Sequence, residues 1–119
     1  MKINNKEKVG KVENFLNCFS KISKGEKMGF IKKCPHTMID CFSEACYNLL
    51  KNKDLKKNKN IRTKTKKIKK QMKWMCNSRN PCLKKRTLLQ QSDFSDILFD
   101  VIEEELVPFL NKLLKKCNK

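Results

Sequence analysis

The chain is 119 residues long, 34% charged and 39% hydrophobic, and its 29 Lys and Arg against 12 Asp and Glu give a formal charge of +17. That length allows one small domain with a modest core, and no run of about 18 apolar residues is present to span a membrane. Three Gly, three Pro and no Asn-Gly or Asp-Gly pair give β-hairpins little support, so the expected class is all-α, a small bundle of three to four helices with a lysine-rich helix and basic connectors.

The basic start Met1-Lys2-Ile3-Asn4-Asn5-Lys6 leads into no apolar run of signal-peptide length, which gives an intracellular expectation. Val9, Val12, Phe15, Leu16, Phe19 and Ile22 then recur at three- and four-residue steps. They form one stripe of a helix with Lys8, Lys11, Glu13 and Lys21 facing away, and Gly25 is its expected stop. Cys18, beside the stripe, reads as a small buried hydrophobe. After a link containing Gly29, Cys34-Pro35-His36-Thr37 marks the start of a second helix with Thr37 as its cap. Met38, Ile39, Phe42, Ala45, Cys46, Leu49 and Leu50 make its apolar face, with Cys41 at the flank.

Lys51 to Arg86 holds most of the charge: sixteen Lys and Arg stand against one acid, Asp54, leaving +15 in this block. Like charge at that density calls for a polyanion, and nucleic acid is the densest in a cell. Its first ten residues are rich in Lys and Asn and read as an exposed connector. Ile61, Thr65, Ile68, Met72 and Met75 then step by four, three, four and three, a narrow helical seam able to dock on the second helix. Arg62, Lys64, Lys66, Lys67, Lys69, Lys70 and Lys73 cover the rest of that helix, and Trp74 reads as the anchor that packs it. Like charges at i,i+4, such as Lys66 and Lys70, cost a few tenths of a kcal/mol per pair, so helix formation is expected to be coupled to anion binding. Asn77-Ser78-Arg79-Asn80-Pro81 is a break. Lys84-Lys85-Arg86 follows, and with Lys64 to Lys70 it has the spacing of a two-part nuclear import signal.

From Ser92 the composition inverts. Asp93, Asp96, Asp100, Glu103, Glu104 and Glu105 precede Lys112, Lys115, Lys116 and Lys119, an order that suits a helix macrodipole. Phe94, Ile97, Leu98, Val101, Ile102, Leu106, Phe109, Leu110, Leu113 and Leu114 form one long stripe with a kink expected at Pro108. Intramolecular packing is the first expectation for this stripe; self-association through Phe94–Leu114 and a membrane interface are the alternatives, the last disfavoured by the acidic first half. Three segments result: 1–33, an N-terminal amphipathic helix and link; 34–91, a cysteine-containing helix with a basic nucleic-acid-binding region; and 92–119, a C-terminal amphipathic helix.

Little chemistry is legible. The seven cysteines, Cys18, Cys34, Cys41, Cys46, Cys76, Cys82 and Cys117, are odd in number and read as reduced thiols. Cys34, His36, Cys76 and Cys82 are the best zinc candidates by residue type, but Cys34-x-His36 and Cys76-x₅-Cys82 miss the usual spacing of about two to four residues. His36 is the only histidine, and no third residue is identifiable to orient it as a base for Cys34 or Cys41. Glu103, Glu104 and Glu105 are consecutive on a helix and diverge, so no metal, cofactor or enzymatic reaction is expected. With Arg62, Arg79 and Arg86 the only arginines, the guanidinium forks that read guanine are scarce, which favours backbone neutralisation over base recognition.

Three stretches carry a family resemblance. Ile39-Asp40-Cys41-Phe42-Ser43-Glu44-Ala45-Cys46-Tyr47-Asn48-Leu49-Leu50-Lys51-Asn52 is one, the basic run from Lys64 to Trp74 the second, and Leu83-Lys84-Lys85-Arg86-Thr87-Leu88-Leu89-Gln90-Gln91 the third. Over Cys34 to Phe94 the chain resembles a small basic protein of Polinton/Maverick elements and adintoviruses, likened to adenovirus core peptides. It departs where that family's Gly-Gly-Phe is Ser92-Asp93-Phe94 and where its apolar tail is an acidic amphipathic helix. The resemblance implies a virion component. The combined expectation is a non-specific DNA-binding and condensing protein of the nucleus or virion, acting through Lys64, Lys66, Lys67, Lys69, Lys70, Lys73, Lys84, Lys85 and Arg86. The alternative is a protein-interaction or membrane-active module working through the C-terminal helix.

Overall fold

A computed structural model describes residues 6–117, with side chains from 10–115. Expectations for residues 1–5, for the side chains of Lys8, Val9, Lys116 and Cys117, and for Lys119 lie outside the described residues. Among those described, 86% are helical and none is in a strand, so the all-α class holds, but the chain makes seven helical runs rather than three or four. They are α1 (Lys6–Ser20), α2 (Lys24–Lys33), α3 (His36–Lys51) and α4 (Lys53–Lys56). α5 (Lys59–Thr65) then continues through a 3₁₀ turn, Lys66–Ile68, into α6 (Lys69–Cys76). Last come α7 (Cys82–Leu89) and α8 (Ser92–Val101), the latter continuing through a π turn, Ile102–Leu106, into α9 (Val107–Cys117).

The additional helices arise from local caps in stretches whose composition suggests a link or connector. Ser23 Oγ accepts from the Glu26 N–H and begins α2 in the pattern of a capping box. Asn52 Oδ1 accepts from the N–H groups of Asp54 and Leu55, and Asn58 Oδ1 from that of Ile61, starting α4 and α5. Gly25 therefore lies inside α2 instead of ending α1, which stops at Ser20. Cys18 is exposed rather than buried, and α3 is capped by the Pro35 backbone position with Thr37 exposed inside it.

All five predicted seam residues, Ile61, Thr65, Ile68, Met72 and Met75, are buried. A seam repeating every 3.5 residues drifts about 20° per heptad around a straight α-helix. At 3.0 residues per turn, a 3₁₀ turn rotates each residue by about 120° instead of about 100°, so Lys66–Ile68 recovers the drift and keeps the seam inward. Thr65 is satisfied where it lies, its hydroxyl donating to the Ile61 carbonyl at 2.6 Å. Burial of this seam is reason enough for the run to be helical, so coupling of helix formation to an anion is not required.

Three phenylalanines from distant parts of the chain tie the fold together. Phe19 of α1 meets Phe42 of α3 at 5.1 Å and Phe99 of α8 at 4.9 Å, both edge-on, and Phe42 and Phe99 are 5.6 Å apart. Phe15 and Phe30 extend the cluster. α6 and α7 lean on α3, α5 on α8, and α9 on α1, so the three sequence segments share one core. The radius of gyration, 13.4 Å, matches the roughly 13.5 Å of a compact chain this long.

The C-terminal stripe is spent on that core: Phe94, Leu98, Val101, Ile102, Leu106 and Leu110 are buried, and Ile97, Phe109, Leu113 and Leu114 pack against them. No helix among the described residues is long and apolar enough to cross a membrane. The expected kink at Pro108 is taken up one turn earlier. Its ring would meet the Glu104 carbonyl, and Glu104 lies in the π turn, where the Val107 N–H reaches back five residues to the Ile102 carbonyl.

Asn58 joins two of these features, capping α5 and donating Nδ2–H to Glu105 at 3.1 Å. Asn58→Ala is expected to lower stability by about 1–2 kcal/mol in urea unfolding. Asn58→Asp, which keeps the cap but faces Glu105 with a carboxylate, recovers only part of that loss.

Candidate nucleic-acid interface

The seam fixes what the outer face can be. With every third or fourth residue turned inward, Lys66, Lys67, Lys69, Lys70 and Lys73 are left exposed along the 3₁₀ turn and α6, and Lys84 of α7 is exposed as well. Among the described residues none of these six is in an ion pair with an acid. Lys66 and Lys70, and Lys69 and Lys73, stand at i,i+4 spacing and repel by a few tenths of a kcal/mol per pair. A phosphate backbone lying along the face relieves that cost.

The other three predicted residues are placed differently. Lys64 pairs with Glu104 on the π turn, and that hydrogen bond, ahead of the field of Glu105 and Asp100, raises the lysine pKa. Lys85 is only 6% exposed and borders a groove with Asp40 and Glu44. Arg86 turns inward: Nη1 donates to the Ile31 carbonyl and Nη2 to the Cys34 carbonyl, both at 2.7 Å, with Cys34 Sγ at 3.8 Å. These bonds close the C-terminal end of α2, where helix carbonyls lack partners. Lys84-Lys85-Arg86 is thus one exposed cation, one buried cation and one staple.

Trp74 packs against the core as expected, but only half-buried beside the fully buried Met72 and Met75. It also forms one wall of a cleft of about 430 Å³ between α6 and α7. Lys70, Gln71, Lys84 and Leu88 also line it. Lys70, Gln71 and Trp74 share one side of α6, and Lys84, Thr87 and Leu88 follow an i, i+3, i+4 pattern along α7, with Gln91 just past its end. That pairing of faces is present in the spacing of the two stretches.

The cysteines do not assemble into a site. Among the described residues no three or more His, Cys, Asp or Glu side chains converge as metal ligands; His36 is exposed, Cys34 lies under Arg86, and Cys76 and Cys82 border the open groove of about 820 Å³ beside Asp40 and Arg79. Burial pushes the thiol of Cys76 up to about 11, that of Cys46 well above its ordinary value, and those of Cys34 and Cys82 upward, outweighing the opposing field of Arg86 at the last two. At neutral pH they are protonated, weak nucleophiles and poor ligands.

Raised thiol pKa values mean that the folded chain holds these protons more tightly than the unfolded chain, whose thiols ionise near 9. Their contribution to stability is complete below about pH 9 and is lost as pH rises towards about 11, with the Lys64–Glu104 pair weakening in the same direction. Denaturation followed from pH 8 to about 11 should show that decline, less steep in Cys76→Ala; an unchanged slope in the variant contradicts the assignment. For the staple, Arg86→Lys should cost about 1–3 kcal/mol, since it forfeits a two-pronged bond to carbonyls, while Lys84→Gln shifts stability by less than about 0.5 kcal/mol.

No protein-family model matches the chain, and neither curated proteins nor solved structures include a significant match, so the character of this surface is carried by its own residues and their geometry.

Proposed function

We propose that the protein binds nucleic acid through the phosphate backbone, without sequence preference, and condenses it, with duplex DNA as the expected partner. The observation that carries this is the exposed face of Lys66, Lys67, Lys69, Lys70, Lys73 and Lys84, held on elements docked by a buried seam. No acid interrupts the chain between Asp54 and Asp93, so the face is uniformly cationic in sequence. Lysine supplies hydrated point charges that follow a phosphate backbone without the fork geometry that selects a base. Lys51, Lys53, Lys56, Lys57 and Lys59, exposed around α4 and the start of α5, offer further cations through which one molecule bridges two duplexes. The resemblance to the basic protein of Polinton elements and adintoviruses supplies a setting, a virion core component acting in the nucleus or virion. The reading calls for no cofactor and no covalent chemistry.

Replacing Lys66, Lys67, Lys69, Lys70, Lys73 and Lys84 by Gln should weaken binding to two unrelated duplexes equally. The slope of log affinity against log salt should become shallower by up to about five, at roughly 0.9 per phosphate contact. Selective loss for one sequence, or an unchanged slope, would count against backbone neutralisation by this face.

A further inference from the structure

α6 and α7 each rest on α3 and make little contact with one another, because Asn77 to Pro81 turns the chain away before α7 begins. The result is the cleft walled by Trp74 and Leu88, opening between Lys70 and Lys84. An apolar recess with a lysine on each rim has an unusual demand on its occupant: flat and apolar enough to lie against an indole, yet bearing anionic charge within reach of both cations. A nucleotide in a strand meets that demand, since every base has a π-face and is flanked by phosphates. We propose, building on the nucleic-acid reading above, that this cleft accepts an unpaired nucleobase, stacked on Trp74 with Lys70 and Lys84 on the flanking phosphates. Duplex is still held through the lysine face, and an opened strand adds stacking to that backbone binding, so locally opened or single-stranded nucleic acid is held more tightly than intact duplex.

The backbone that carries the indole is fixed. The Trp74 carbonyl accepts from the Asn77 N–H at 3.2 Å and from Asn80 Nδ2 at 2.8 Å, fixing the end of α6 to the turn. Gln71 and Gln91 lie in the cleft lining, each carrying an amide that donates and accepts, so hydrogen bonding to a base edge does not demand one particular base. Leu83, at 67% exposure the one large apolar side chain left in solvent among the described residues, stands one turn from Thr87, whose hydroxyl donates to its carbonyl at 3.1 Å. It offers a second apolar surface for the neighbouring nucleotide.

Trp74 is the only tryptophan, so emission excited selectively at the indole, beyond the absorption of Tyr47, reports on this cleft. The full chain is titrated with an oligothymidylate, a blunt duplex of equal length, inorganic polyphosphate and an acidic amphipathic peptide. The expected result is strong quenching by the single strand, little by the duplex, and binding of polyphosphate without quenching. Trp74→Leu should lose about 5- to 100-fold in single-strand affinity while its polyphosphate affinity is kept. The polyphosphate arm also shows whether the variant is folded and competent to bind. Binding of all three polyanions with no quenching overturns the cleft proposal and leaves backbone binding intact. Failure of every polyanion to bind overturns the nucleic-acid reading itself. Quenching by the peptide alone reassigns the cleft to a protein partner and likewise overturns the proposal.

Discussion

The junction of Phe19, Phe42 and Phe99 is the contact on which the other elements depend. It joins residues 80 positions apart in a chain that otherwise folds into short local helices, and rings meeting edge-on gain about 0.5–1.5 kcal/mol per pair beyond the area they bury. Once α1, α3 and α8 meet there, the remaining faces of α3 receive α6 and α7, and α8 receives α5. The lysine-rich run is thereby held on two sides by elements that do not themselves need its charge.

That arrangement resolves an electrostatic difficulty. A block carrying +15 destabilises any compact state through self-repulsion. The fold offsets this by burying Ile61, Thr65, Ile68, Met72 and Met75, and by setting Glu104 and Glu105 of the π turn against Lys64 and Asn58. The acids act at the α5 end, beside the core, and leave the 3₁₀ turn and α6 free of countercharge. The cationic face is thus concentrated at the end of the run farthest from the acids and nearest the Trp74 cleft.

Much of the architecture was legible in the sequence where hydrophobic spacing is regular. The seam, the α3 face and the C-terminal stripe are buried as their periodicity implies, because spacing alone decides which side of a helix meets the core. The short helices were not legible, since four to ten residues hold too few apolar positions to show a period, and their signal lies in single capping residues. Ser23-Lys24-Gly25-Glu26 is a capping box obscured by its glycine, and Asn52 and Asn58 look like connector residues until their side chains are seen to cap. Phe99, outside the expected stripe, is buried at ordinary helical spacing from Ser95 and Ile102, because α8 is covered over a wider arc than one stripe of apolar residues implies. At the candidate interface, the lysines on α6 were readable from the seam beneath them, while the inward turn of Arg86 depended on a carbonyl pair 52 and 55 residues away.

Lys84, Lys85 and Arg86 show why a basic cluster in sequence is not a basic patch in space. Successive helical residues point about 100° apart, so three adjacent cations on α7 must face three directions, and here Lys84 stays in solvent while Lys85 is buried and Arg86 turns to the end of α2. Along the 3₁₀ turn and α6 the opposite holds, since lysines at most of the positions outside a regular seam stay exposed together. The extent of the exposed cationic surface is therefore set by helix phase against the core rather than by the lysine count. The same phase brings Lys70 and Lys84, fourteen residues apart in sequence, to the two rims of a single apolar cleft. Helix phase, rather than nearness in sequence, thus sets a cation on each rim of a recess walled by an indole, and that juxtaposition is what the stacking proposal rests on.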